Sequence, residues 1–404
     1  MNYLKNRLKV DSHDIHHLAK KYGTPTYLYS YKKLKENIDN FKKSFASINP
    51  LVCFAVKSNT NLNILREIKK LDLGADVVSA GELRKALKAG INPKKIVFSG
   101  VGKTHEEIEY AINKKILLIN AESRSEIYEI EKIAKKKKKI VNVGIRLNPN
   151  TDAQTLSQIS TGKKENKFGM DKKEFLNLVE YLKKSKIINL SCLSVHIGSQ
   201  ILNYKPYLKM LDVVEEIIEK SSYNFDYVDL GGGMGIDYSH SGKRLNLKKY
   251  SDAIQKFLKR NKTKIIFEPG RSLIGNTAIL IAKILYIKKG YKKDFVILDT
   301  GMNDLMRPAL YGSVHNILPI IKNKIKSKKN YEFVGPICES TDTFGGVKNY
   351  QKLIEKNYLA ISDVGAYGIS LSSNYNVRPK PLEILIKDSK IKILSKRQKL
   401  SDLI

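Results

Sequence analysis

Short apolar runs alternate with amphipathic segments along most of the chain. Each run has the length of one buried strand, and the segments between the runs place apolar residues at helical spacing. Repeated strand and helix predict an α/β fold with a parallel (β/α)8 barrel of TIM type, and the number of runs favours this barrel over a doubly wound open sheet. The eight runs are Leu51–Val56, Ala75–Ser79, Ile96–Ser99, Ile116–Asn120, Val141–Leu147, Leu190–Ile197, Tyr227–Leu230 and Lys264–Phe267.

The pattern changes after Arg271. Strand-like runs then follow one another without helices between them, and turns rich in Gly and Asn separate several of them. This arrangement predicts a C-terminal antiparallel β-domain of barrel or sandwich type. A strand is also predicted at Pro25–Tyr29, and the sequence leaves open whether it pairs with that domain. We expect a barrel over residues 30–275, and a β-domain formed by residues 1–29 and 276–404.

The net charge of +33 raises the question of a nucleic-acid partner. The lysines are spread along the chain, which is typical of a charged solvated surface, so no nucleic-acid partner is expected. No apolar run is long enough to span a bilayer, and the first residues lack the apolar core of a secretion signal. The sequence therefore predicts a cytoplasmic protein without a membrane partner.

The three cysteines show no CxxC spacing and no disulfide framework. Cys53 and Cys192 lie inside apolar runs, which predicts core positions. Cys338 follows a predicted strand in a polar turn, where a side chain can reach a functional site.

Reactive residues follow four of the predicted barrel strands: Lys57, His196, the glycines Gly231–Gly233, and Glu268–Arg271. Catalytic groups of such barrels lie at the C-terminal ends of the strands, and the last two loops commonly hold phosphate. A desolvated lysine amine is a nucleophile suited to an aldehyde. Glycines let the backbone approach an anion closely. The pattern predicts a site for a phosphorylated aldehyde cofactor.

Each of these residues also has a structural alternative. Lys57 could extend from a strand edge to solvent, His196 could be a core residue, and Glu268 with Arg271 could form a surface ion pair. In the functional interpretation, Glu268 keeps a pyridine nitrogen protonated and Arg271 binds phosphate or carboxylate as a fork. No metal is predicted, because no partner ligands follow the N-terminal histidines, which are expected to be exposed: His13, His16 and His17.

Eight segments, in this order and spacing, resemble the fold-type III pyridoxal-phosphate decarboxylases, and most closely the diaminopimelate decarboxylases. The resemblance covers nearly the whole chain and implies the two-domain fold of alanine-racemase-like enzymes. The segments are Phe54–Asn59, Gly74–Leu83, His196–Gln200, Gly231–Gly235, Glu268–Arg271, Met306–Tyr311, Cys338–Ser340 and Gly365–Gly368.

The resemblance implies pyridoxal 5'-phosphate as cofactor and the conversion of meso-2,6-diaminopimelate to L-lysine and CO2. Lys57 would bind the cofactor covalently, His196 would stack on its ring, and Glu268 would face the pyridine nitrogen. The groups implied to hold the phosphate and its surroundings are Ser199, Gly232, Gly233, Gly270, Arg271 and Tyr367.

The resemblance also implies a homodimer whose active sites are shared across the interface. Cys338 would be the proton donor in the partner's site, and Glu339 would contact the substrate amine. The other residues implied to bind substrate are Arg271, Arg307, Tyr311 and Tyr367.

Other functions remain open at this point. Within the same class, the substrate could be ornithine, arginine or carboxynorspermidine, although an arginine paired with an acid suits a distal amino-acid group best. A non-catalytic relative is disfavoured because Lys57, His196, Glu268 and Cys338 are all present. A cofactor-carrying homeostasis protein is disfavoured because such proteins lack the C-terminal β-domain.

Overall fold

The structure is a computed structural model that describes residues 1–153, 155, 159 and 161–404. It divides into two compact units. We call them the β-unit, made of Met1–Asn37, Tyr238–Ser241 and Leu273–Ile404, and the barrel unit, made of Ile38–Asp237 and Gly242–Ser272. None of the helices described is long and apolar enough to cross a membrane.

The chain begins with a small antiparallel sheet and a capped helix. Helix α1 starts after Asp14 because the carboxylate of Asp14 accepts a hydrogen bond from the amide of His17. The elements of this segment are β1 (Asn2–Leu4), β2 (Arg7–Val10), β3 (His13–Asp14), α1 (Ile15–Tyr22), β4 (Thr26–Ser30) and α2 (Tyr31–Ser44).

The prediction that all three N-terminal histidines are exposed is wrong for His13 and His16, which are half-buried. The His16 ring lies edge-on to Tyr358 at 5.8 Å, and its Nδ1 is 3.1 Å from Nη2 of Arg7. The contact with Tyr358 joins residues far apart in the sequence, so local polarity gave no sign of it.

The closed parallel barrel of eight strands confirms the predicted fold of the barrel unit. Nearly all of the strand residues are buried, which explains why the runs are apolar on both faces. The strands are β5 (Leu51–Ala55), β6 (Gly74–Val77), β7 (Ile96–Phe98), β8 (Leu118–Ala121), β9 (Val141–Leu147), β10 (Ile188–Val195), β11 (Tyr227–Asp229) and β12 (Lys264–Phe267).

Helices connect these strands, and most begin at a polar residue whose side chain accepts a hydrogen bond from an amide of the first turn. Thr104 and Glu107 form a complete capping box. The helices are α3 (Leu62–Lys70), α4 (Ala80–Lys88), α5 (His105–Lys114), α6 (Arg124–Lys137), α7 (Lys172–Leu182), α8 (Lys205–Ser221) and α9 (Leu247–Arg260).

Gly74, the first residue of β6, tests the packing of the barrel. A Cβ atom there would lie 2.0 Å from the backbone oxygen of Lys95, so the Gly74→Ala variant must displace backbone. We expect it to lower the free energy of unfolding by about 1–3 kcal/mol, as overpacking does. Gly102→Ala is the matched control, since no atom lies within 4 Å of its Cβ position. Denaturant unfolding of both variants measures the difference, and equal stability would contradict this account.

The β-unit contains a nine-stranded sheet with β4 between β13 and β19. The predicted strand at Pro25–Tyr29 is thereby confirmed. Its pairing with the C-terminal strands, which the sequence left open, is shown by the structure. The remaining elements are α10 (Arg271–Ile274), β13 (Ala278–Lys288), β14 (Lys293–Leu298), α11 (Arg307–Tyr311), β15 (Ile317–Pro319), β16 (Asn330–Val334), β17 (Thr343–Val347), β18 (Tyr358–Ile361), β19 (Leu382–Lys387) and β20 (Lys390–Ser395).

The sheet is mostly antiparallel, but two of its strand pairs are parallel: β14 with β16, and β4 with β19. The prevailing antiparallel pairing confirms the prediction for this domain. Neither parallel pair is joined by a hairpin, so no short turn dictates its direction.

Candidate active site

Lys57 lies at the C-terminal end of the barrel strands, in a 3₁₀ turn directly after β5. Its Nζ is 2.8 Å from Oδ2 of Asp76, and the Asp76 side chain is fully buried. The Lys57 side chain is 39% exposed, so its amine is only partly desolvated. Within the described residues, Oδ1 of Asp76 has no hydrogen-bond partner. The amine is thus held by a buried carboxylate and stays reachable by a small molecule.

Glu268 follows β12 and is almost fully buried. Ser99 Oγ donates to its Oε1 at 3.3 Å. Burial, and then the neighbouring carboxylates of Asp229 and Asp76, raise the pKa of Glu268 well above its usual range. A raised pKa favours the protonated form of the acid, and the ionised form is stabilised by a cationic group placed against it.

The side-chain amide of Asn120 joins the buried carboxyl group of Asp229 to two buried hydroxyl groups. Asn120 Nδ2 donates to Asp229 Oδ2 at 3.0 Å, and it lies 3.2 Å from Ser99 Oγ and 3.3 Å from Ser194 Oγ. Burial raises the pKa of Asp229 to about 6. The carboxyl group of Asp229 also accepts from the amide of Gly231 at 2.9 Å, so it fixes the start of the glycine turn.

His196 follows β10, and its orientation is set by the glycine turn. The amide of Gly232 donates to Nδ1 of His196 at 3.1 Å, which assigns the ring hydrogen to Nε2. Burial, and then the charges of Arg146 and Lys57, lower the pKa of His196 well below its usual range. The imidazole is therefore neutral at physiological pH, and a neutral flat ring is suited to lie against another planar ring.

Arg271, at the start of α10, lies beside Ser199, in the loop after β10. The Nη2 atom of Arg271 donates to Ser199 Oγ at 3.0 Å, and Arg271 is buried. A buried guanidinium is favourable where an anion neutralises it. This pair therefore fits a phosphate or carboxylate ligand.

The glycines beside this pair let neighbouring loops approach one another. A Cβ at Gly232 would lie 2.1 Å from the oxygen of Glu268, and one at Gly233 would lie 2.1 Å from the oxygen of Gly198. A Cβ at Gly270 would lie 2.9 Å from the Ser58 Cβ. Because these glycines have no Cβ atom, the loops can pack closely against one another. The sequence interpretation treated the glycines as an anion site and did not include this packing role.

Arg307, at the start of α11 in the β-unit, is buried and held by three side chains. Its Nη1 is 2.9 Å from Nε2 of His315, and its Nη2 donates to Ser313 Oγ at 3.3 Å. The Tyr238 ring centroid lies 4.5 Å from the guanidinium carbon, in the geometry of a cation–π contact. Tyr311 ends the same short helix and is half-buried.

Cys338 and Glu339 are both exposed, on the loop after β16. The Cys338 amide donates to Asn376 Oδ1 at 3.4 Å, and the Tyr375 hydroxyl donates to Glu339 Oε1 at 2.7 Å. The predicted location of Cys338 in a polar turn is confirmed. The buried positions of the other two cysteines are confirmed as well.

Tyr367 adopts a left-handed backbone conformation, with φ of 56°, in the loop after β18. Gly365, two residues earlier, lets this loop approach α10, because a Cβ there would lie 2.0 Å from the Ile274 oxygen. The side chain of Tyr367 is half-buried in the β-unit.

Sequence reasoning did not single out several charged residues at the barrel end. Asp76 and Asp229 belong to this group, together with Arg146, which forms a buried 2.7 Å ion pair with Glu122. The sequence did contain a sign of them, because Asp76, Asp229 and Arg146 each place a charged side chain inside an otherwise apolar run. A charge in a barrel strand is stable only with a partner, and here the partners lie on other strands or loops.

The sequence family described as "Pyridoxal-dependent decarboxylase, pyridoxal binding domain" matches residues 31–275. The chain is 42% identical to the diaminopimelate decarboxylase of Helicobacter pylori, with 96% of each protein covered. The chain belongs to the diaminopimelate decarboxylase family. The Aquifex aeolicus member of this family is 38% identical over 401 residues, which are 98% of this chain and 95% of that relative.

A solved structure of a diaminopimelate decarboxylase has the same fold. The structure of the Helicobacter pylori protein complexed with L-lysine superposes with a TM-score of 0.91 at 42% identity, and covers 96% of this chain and 98% of that one. This similarity confirms the predicted fold class and the family.

Pyridoxal phosphate is the cofactor that family membership assigns to this chain, and the barrel end fits it. A reachable amine, Lys57, suits the aldehyde. The buried acid Glu268 suits a protonated ring nitrogen, and the Arg271–Ser199 pair suits the phosphate.

Proposed function

We propose that this protein decarboxylates meso-2,6-diaminopimelate to L-lysine and CO2, the last step of lysine biosynthesis by the diaminopimelate pathway. The observation that carries the proposal is the near full-length similarity to diaminopimelate decarboxylases, one of which was solved with L-lysine. Under this proposal the substrate is a small molecule and the protein is cytoplasmic.

The contacts at the barrel end support the roles proposed there. Lys57 would bond to the cofactor aldehyde, His196 would lie against the ring, and Glu268 would keep the ring nitrogen protonated. When bound, pyridoxal phosphate supplies a ring that accepts the electron pair left by loss of CO2. The groups proposed around the phosphate are Ser199, Gly232, Gly233, Gly270, Arg271 and Tyr367.

The distal end of the substrate is an unreacted amino-acid group, which needs partners for both a carboxylate and an amine. Arg307 is proposed to bind the carboxylate, because a guanidinium matches it as a fork. Glu339 is proposed to contact the amine. Further substrate contacts are proposed for Arg271, Tyr311 and Tyr367.

Cys338 is proposed as the proton donor to the carbon from which CO2 leaves. Its thiol and the adjacent carboxylate of Glu339 are both exposed in the single chain, as expected for groups that complete a second subunit's site. We therefore propose a homodimer with shared active sites. Residues 30–275 are the proposed cofactor domain, and residues 1–29 with 276–404 contribute to the dimer and the substrate site.

The direct test is CO2 release by the purified protein with pyridoxal phosphate. Diaminopimelate, ornithine and arginine are offered separately, and L-lysine is identified as the product of the first. Turnover of diaminopimelate alone supports the proposal. Turnover of ornithine or arginine instead would keep the reaction class and overturn the substrate.

Removal of the Arg307 guanidinium is expected to weaken substrate binding specifically. A charged hydrogen-bonding group contributes about 1.5–3 kcal/mol, so Arg307→Ala should raise KM for diaminopimelate by ~10- to 100-fold with a smaller change in kcat. Arg307→Lys retains the positive charge but cannot form the two parallel hydrogen bonds of a guanidinium, so it should recover only part of the lost substrate binding. Steady-state kinetics of both variants measure this. A fall in kcat at unchanged KM would contradict the binding role.

A further inference from the structure

His315 has one defined hydrogen-bonding state in the β-unit. Its Nδ1 lies 2.8 Å from the backbone oxygen of Ser362, and its Nε2 lies 2.9 Å from Nη1 of Arg307. A carbonyl oxygen only accepts, so Nδ1 carries the hydrogen. Nε2 is then an acceptor, and it receives a hydrogen bond from the guanidinium. The imidazole is buried and neutral in this arrangement.

The ring of Tyr238 restrains the orientation of the Arg307 guanidinium from another direction. Its ring lies over the guanidinium carbon of Arg307 at 4.5 Å and edge-on to the His315 ring at 5.3 Å. The planar cation is thus restrained at one edge by an acceptor and on one face by an aromatic ring. A long flexible side chain held in this way loses less conformational entropy when it binds a ligand.

The identity of the restraining group matters because it is neutral. A carboxylate in the place of His315 would also hold Arg307, but it would compensate the positive charge that attracts an anion. An imidazole acceptor orients the guanidinium without itself compensating the charge. Three neutral groups that contact the Arg307 guanidinium are those of His315, Ser313 and Tyr238.

We propose that His315 is a positioning residue that orients Arg307 and thereby sets the preference for ligands with a distal carboxylate. The proposal rests on the proposed function, in which Arg307 binds that carboxylate. His315 acts through the guanidinium. Removal of the imidazole should therefore weaken the binding of ligands that carry the distal carboxylate and leave the binding of other ligands unaffected.

L-Lysine and 1,5-diaminopentane form a matched pair of probes, since they differ only in that carboxylate. Their dissociation constants are measured by calorimetry on the cofactor-loaded protein and on His315→Leu. We expect the affinity for L-lysine to fall ~10-fold, the contribution of one charge-assisted hydrogen bond, and that for diaminopentane to stay within about twofold. His315→Gln, whose amide oxygen can accept from Arg307, should recover part of the preference.

Ser313→Ala is the comparison, because it removes the longer 3.3 Å contact to the same guanidinium and keeps the imidazole. Its loss of preference for L-lysine should be smaller than that of His315→Leu. Thermal unfolding shows whether the His315→Leu variant folds. If it does not, His315→Asn and His315→Gln replace it. The Asn side chain is shorter and ends farther from Nη1 of Arg307, so we expect a greater loss of preference in His315→Asn than in His315→Gln.

The outcomes separate the two proposals. An equal loss for both probes, or no loss for either, overturns the role of His315 alone. If the unmodified protein binds both probes equally, or if Arg307→Ala keeps the preference for L-lysine, the assignment of Arg307 to the distal carboxylate fails and the positioning role fails with it.

Discussion

Replacement of Lys57 by alanine is expected to lower turnover by ~10⁴-fold or more, the size of loss that follows removal of a covalent nucleophile. The same variant should lose the visible absorption that requires a covalent bond between the lysine amine and the cofactor aldehyde. The reason lies in the geometry after β5, where a buried carboxylate holds the amine of Lys57 at 2.8 Å. Absorption spectroscopy and CO2 release measure the two effects.

Lys57→Arg is the matched control for this experiment. It retains a cation beside Asp76 but has no amine able to bond to an aldehyde. We expect its fold to be as stable as that of the unmodified protein, while its activity and visible absorption are as low as in Lys57→Ala. An unchanged spectrum in either variant would remove Lys57 from its proposed role.

Replacement of Cys338 by alanine should also cause a large loss of turnover, because the thiol is the proposed proton donor. The more informative measurement mixes this variant with Lys57→Ala after reversible dissociation. If the active sites are shared, each hybrid dimer contains one intact site and one site that lacks both groups. With random pairing, half of the dimers are hybrids, so activity should return to about a quarter of that of the unmodified protein.

The corresponding control mixes Lys57→Ala with Lys57→Arg. Both variants lack the same group, so no combination of their subunits restores a site. Recovery in this control would indicate contamination or exchange artefacts. When subunit exchange has been demonstrated, no recovery with Cys338→Ala would contradict the shared site and leave the decarboxylase proposal standing.

The regular alternation of apolar runs and amphipathic segments was sufficient to predict the barrel. Each strand is buried on both faces and each helix on one, so the two periodicities are visible in the sequence. The strand at Pro25–Tyr29 was visible for the same reason. The bounds of β9 and β12 agree with their predicted runs, Val141–Leu147 and Lys264–Phe267.

The fold rule made one part of the candidate site predictable from the sequence, and the family resemblance implied the rest. Because barrel strands are parallel, residues after Leu51–Ala55 and Lys264–Phe267 had to lie at one end. That argument found Lys57, His196 and Glu268. It gave no account of the residues that hold them, since their partners lie on other strands or loops.

The sequence by itself therefore determined the barrel, its strand count and the residue types offered at its C-terminal end, because these depend on local periodicity and on chain direction. Tertiary structure alone decided that Asp76 holds Lys57, that Asn120 donates to Asp229, and that His315 contacts Arg307. It also decided the parallel pairing of β4 with β19. Each of these is a contact between distant parts of the chain, and burial and hydrogen-bond satisfaction fix such contacts only when the whole fold is formed.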